Sequence, residues 1–98
     1  MIELGQVDSN SAHKMACRIS DMVREHGELA VFVKPDRSVL ALPHYKPGYQ
    51  ESLTRRARQL AGRYVADPEC AMAKRRAYDI REDLLDRLAD LRTQARAA

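Results

Sequence analysis

Two short apolar runs held apart by four turn-forming residues constrain this chain more than anything else in it. Leu29-Ala30-Val31-Phe32-Val33 and Ser38-Val39-Leu40-Ala41-Leu42 are both rich in β-prone side chains. Between them stands Lys34-Pro35-Asp36-Arg37, whose proline has the φ needed at the second position of a type I turn. The three segments predict an antiparallel hairpin. Successive side chains of a strand point to opposite faces, and here both faces are apolar, so neither can be left in water. Helices must cover one face. The other needs the remaining helix or a second subunit.

The rest of the chain supplies helical patterns. Met1 to Val7 alternates loosely around Gly5 and reads as a short edge strand or a frayed terminus. Asp8-Ser9-Asn10-Ser11 offers four side-chain oxygens able to cap a helix N-terminus. Ala12, Met15, Ala16, Ile19, Met22 and Val23 then form one apolar stripe, which Gly27 ends. A second helix is expected from about Tyr49 to Val65, on the stripe Leu53, Ala57, Leu60, Ala61 and Tyr64. Asp67-Pro68-Glu69 reads as the start of a third, with the stripe Ala73, Ala77, Ile80, Leu84, Leu88, Leu91 and Ala95. Continuous from Glu69 to Arg96, that helix would span roughly 43 Å. A domain of this length has a radius of gyration of only about 13 Å, so the last turns would overhang, fray or meet another chain. The expected fold is a single α+β domain over residues 1–98, in the order (β)αββαα, with the hairpin packed on three helices.

Composition narrows the class. With no Trp and one Phe among 98 residues, the core must be aliphatic. Met1 to Val7 lacks a basic segment, and the longest apolar run is far too short to cross a bilayer, so a cytoplasmic location without membrane contact is expected. Cys17 and Cys70 stand far apart and read as reduced, half-buried thiols. No cofactor motif is present: there is no glycine-rich phosphate loop, nucleophile elbow or metalloprotease signature. His13 and Cys17 lie four apart on the first helix, a spacing suited to a metal or to a base and nucleophile, but two such groups do not complete either site.

Charge is the one functional signal. Residues 49–78 carry seven basic and three acidic side chains, and so hold the excess behind the net charge of +3. The seven are Arg55, Arg56, Arg58, Arg63, Lys74, Arg75 and Arg76. If helices two and three form an antiparallel hairpin, Arg58 falls opposite Arg75, with Arg55 and Arg56 near Arg76, and two clusters merge into one basic surface. Arginine suits bidentate contact with phosphate or carboxylate, although codon usage in a GC-rich genome also produces an Arg- and Ala-rich chain. Asp79, Glu82, Asp83, Asp86 and Asp90 form an acidic stripe on helix three, which would repel nucleic acid and attract a basic protein surface. His44 and Tyr45, in the proline-flanked connector after the hairpin, occupy a loop position suited to binding.

These features point away from catalysis and toward a small accessory or inhibitor protein that masks a surface of a larger protein or ribonucleoprotein complex. Phage and mobile elements encode many such proteins, anti-CRISPR inhibitors among them, and these share no common motif. The alternative is a regulator that binds DNA or RNA backbone through the basic helical hairpin. Nucleic-acid contact on either reading is expected to be weak and sequence-independent, since Asp67 and Glu69 stand where a helix-turn-helix would read bases. The two-faced hairpin and the long last helix suggest a homodimer, with a monomer as the rival.

Overall fold

The hairpin forms where its residues require it. In the structure, a computed structural model, residues 1–45, 58–66 and 73–97 are described, with only the backbone of 73, 74, 96 and 97. Strands β2 (Glu28–Val33) and β3 (Ser38–Leu42) pair antiparallel, with Val31 beside Ala41 and Val33 beside Val39. Lys34 C=O accepts from Arg37 N–H at 2.8 Å and Lys34 N–H donates to Ser38 C=O at 2.9 Å, closing the turn around Pro35 and Asp36. The Asp36 carboxylate then accepts from Ser38 N–H at 2.9 Å.

Strand β1 (Ile2–Gln6) pairs antiparallel with β3, so the N-terminal segment is an edge strand. Its register slips between Glu3 and Gly5, and Gly5 takes a φ of 86° that other residues rarely adopt. Helix α1 (Ala12–His26) follows on the expected stripe. The caps divide the work differently from the sequence pattern. Asp8 accepts from the N–H groups of Asn10 and Ser11, both at 2.9 Å, and Ser11 Oγ accepts from Asp8 N–H. Ser11 is the N-cap, yet its hydroxyl makes no bond to the helix. At the other end Gly27, with φ 83°, donates to Val23 C=O at 2.8 Å.

The second half of the chain departs from expectation. Of the helix predicted from Tyr49 to Val65, residues 49–57 lie outside the described ones, Arg58 and Gln59 are helical, and Leu60–Val65 is instead a fourth strand, β4, paired antiparallel with β2. Gly62 explains much of this, because a glycine inside a helix costs about 1 kcal/mol relative to alanine. Tyr64 and Val65 favour a pleated sheet, where β2 offers partners for the backbone and a buried surface for Tyr64. Among the described residues there are therefore two helices and not three, in the order βαβββα. The last is α2 (Ala73–Ala97), 25 residues long and uninterrupted.

The sheet order is β1-β3-β2-β4, with both helices on one face. Leu29, Val31 and Val33 of β2 and Val39 and Ala41 of β3 meet Ala16, Ile19 and Val23 of α1 and Ile80, Leu84 and Leu88 of α2. These buried aliphatic side chains are the core. On the opposite face, Ala30 and Phe32 are buried with Tyr45, and Leu40, Leu42 and Leu60 pack around them. The second apolar face of the hairpin is thus partly covered by residues of the same chain. No helix among the described residues is long and apolar enough to cross a membrane.

Candidate partner-binding surface

Because residues 60–65 are a strand, the helical hairpin expected to align Arg58 with Arg75 is not formed, and Arg63 and Arg76 fall on opposite sides of the sheet. Arg63 lies on β4 beside Ala30, on the face turned away from the helices. Its Nη2 donates to Glu28 Oε1 and to Tyr45 C=O, both at 3.2 Å. Arg76 is on the helix side, where its Nε donates to Ser20 Oγ of α1 at 3.0 Å. It ties one helix to the other. Arg58, helical just before β4, and Arg75 on α2 are exposed. Lys74 falls in the first turn of α2; its side chain lies outside the described residues, as do Arg55 and Arg56.

The connector after β3 contributes the other half of the surface. His44 is exposed and holds a φ of 59°, a left-handed conformation unusual for a residue other than glycine. Tyr45 is buried, its ring edge-on to Phe32 at 84° with centroids 5.3 Å apart. Such a pair adds about 0.5–1.5 kcal/mol beyond its buried area. Two predicted site groups remote in sequence, Tyr45 and Arg63, are in direct contact. The tyrosine ring anchors the corner, the arginine clamps its carbonyl, and His44 stays exposed beside them. Glu28 was not among the expected site residues. Its signal was an acid at the first position of a strand otherwise apolar throughout.

The acidic stripe is partly occupied inside the molecule. Asp83 Oδ2 accepts from Tyr64 Oη of β4 at 2.6 Å, and Glu82 pairs with Arg81 at 3.1 Å. Burial and the Asp83 carboxylate push the Tyr64 hydroxyl well above the ordinary tyrosine range. Asp79, Asp86 and Asp90 remain exposed. On α1, Cys17 Sγ and His13 Nε2 are 3.7 Å apart, both exposed, so Cys17 is not the half-buried thiol expected, because it lies on the helix face turned from the core; Cys70 lies outside the described residues. No cluster of three or more His, Cys, Asp or Glu side chains able to hold a metal occurs among the described residues. Comparison with family models, with curated proteins and with solved structures finds no match to this chain.

Proposed function

We propose that this chain is a non-enzymatic binding protein that covers a surface of a larger, nucleic-acid-handling complex, in the manner of the small anti-CRISPR-type inhibitors encoded by phage and mobile elements. The observation that supports this most is the clamped corner at Tyr45. Arg63 spans Glu28 and the Tyr45 carbonyl while 42% of its side chain stays exposed, beside an exposed His44. A corner presenting a half-exposed guanidinium beside an exposed imidazole offers hydrogen-bond donors to an acidic protein surface, which can draw Arg63 from Glu28. Homodimerisation belongs to the same proposal. Strand β4 stands at the sheet edge with Val65 67% exposed, and pairing two such edges would cover both.

Charge reversal tests the reading. Arg58→Glu with Arg63→Glu should abolish capture of the partner from host extract, whereas Asp86→Lys with Asp90→Lys should leave it intact, with melting curves confirming that each variant is folded. Retention of capture by the arginine variant would remove this surface from consideration. Nucleic acid is the competing partner, and salt dependence separates it. Each phosphate contact contributes roughly 0.9 to the log–log salt slope on B-DNA. A steep slope that the same double variant flattens by about two units would make the phosphate backbone the direct ligand. Sedimentation equilibrium over a tenfold concentration range should show dimer mass, and a single monomer mass throughout would dispose of the edge-pairing idea.

A further inference from the structure

A cleft lies among residues the charge pattern did not single out. The β1–α1 loop, the β2–β3 turn and the later turns of α2 enclose a cleft of about 240 Å³. Its floor is apolar: Leu88 is buried and Leu91 half-buried. Arg37, Arg92 and Asp8 are exposed along its walls. Neither arginine forms an ion pair with an Asp or Glu among the described residues. Asp8 is ionised at neutral pH like any ordinary aspartate, and the N–H groups of Ser11 and Asn10, with a smaller contribution from the charge of Arg37, hold its carboxyl below the usual range. Two guanidinium groups and one carboxylate leave a single net positive charge over a hydrocarbon floor.

Arg37 adds an independent observation. It is the left-handed residue of the turn, with φ 69°, where glycine is the usual choice in a three-residue hairpin loop. Its backbone is held on both sides, donating to Lys34 C=O at 2.8 Å and accepting from Val7 N–H at 3.0 Å. An L-residue is disfavoured in this conformation, yet the chain keeps a long cationic side chain there, at the cleft wall. We infer that the cleft binds a short aliphatic carboxylate, its head on Arg37 and Arg92 and its hydrocarbon on Leu88 and Leu91. The apolar floor of Leu88 and Leu91 favours an acid with a hydrocarbon tail over inorganic phosphate, which has no apolar part to bury there. The volume falls just below the usual range for drug-sized ligands, so the ligand is a small acid or the last residue of a polypeptide.

Amide NMR titration of the full chain distinguishes these sources. The probes are 4-methylpentanoate for the free acid, N-acetyl-glycyl-leucine for a chain terminus, and N-acetyl-glycyl-leucinamide as the uncharged control. At least one acid should saturate with a dissociation constant on the order of 1 mM, as expected for so small a ligand. The shifts should centre on Asp8, Arg37, Leu91 and Arg92, and the acid that binds more tightly identifies the source. The amide should bind about tenfold more weakly, the loss expected when a charged hydrogen-bonding partner is removed. Arg37→Gly and Arg92→Ala should each weaken binding by a similar factor. Because glycine relieves the left-handed strain, Arg37→Gly should melt no lower than the parent, so its loss of binding cannot be ascribed to unfolding. Absence of saturation by both acids at tenfold higher concentration, equal binding of the amide, or unchanged affinity in Arg37→Gly would overturn the inference.

Discussion

Tyr64 shows how a single side chain secures the last helix to the sheet. Its hydroxyl crosses over Gly62 to reach Asp83, and a Cβ at position 62 would collide with the tyrosine's own ring and oxygen. Gly62 thus has two roles: it breaks the helical pattern, and it clears the path of Tyr64. A hydrogen bond to a charged acceptor contributes roughly 1.5–3 kcal/mol, so Tyr64→Phe should cost about 1–2 kcal/mol in urea denaturation, given partial exposure. The pH dependence follows in sign. The unfolded tyrosine ionises near its ordinary value of 10.0, while the folded one stays protonated above it. This contribution is complete below pH 10 and is lost as the pH rises further. Asp8 and Asp36 act at the other limb. Backbone N–H donors lower both from the ordinary 3.8, so their contribution is present above that value and fades as the pH falls through the folded pKa. Equilibrium unfolding of Tyr64→Phe against pH should show a flatter alkaline limb than the parent.

At the scale of elements, the sequence was readable wherever one periodicity had no competitor. The hairpin, the α1 stripe and the α2 stripe are found where apolar spacing placed them, while the Asp67-Pro68-Glu69 start expected for the last helix lies outside the described residues. In α2, Ala77, Ile80, Leu84 and Leu88 of the stripe are buried, whereas Leu91 is half-buried and Ala95 exposed towards the helix end. Leu84→Ala should therefore cost about 2–5 kcal/mol. Asp86→Ala, two positions on and exposed, should stay within about 0.5 kcal/mol, which urea titration of the pair would check. Strand β4 was misread because Leu60, Ala61 and Tyr64 continue a helical spacing, and only Gly62 and the Tyr-Val pair spoke against it. The site suffered from that error. A helix would have put Arg63 beside the core stripe, whereas the strand sends it to the opposite face and onto Tyr45. Charge density along the chain could not reveal Arg37 and Arg92 either, since the cleft brings together two elements that are distant in sequence.

For the molecule as a whole, the longest dimension is 44 Å and the radius of gyration 13.2 Å. At 1.5 Å per residue α2 measures about 37 Å, so it runs most of the length without exceeding it. The overhang expected from sequence is absorbed because the late turns of α2 lie along the β1–α1 loop and the hairpin turn. The sheet order β1-β3-β2-β4 also has a consequence in time. Its two central strands are neighbours in the chain and meet across a short turn, but both outer strands are recruited from far away, Ile2 to Ala41 and Val65 to Glu28. Closing those long loops costs entropy before any contact repays it, so the centre of the sheet should assemble early and its flanks late. In stopped-flow experiments Tyr64→Phe, at the late flank, should accelerate unfolding and leave the refolding rate nearly unchanged. A variant that slowed refolding instead would put β4 in the nucleus. If the flank does close last, it is also the first part of the sheet to open, and the native protein would shed the surface around Arg63 while its central hairpin stayed intact.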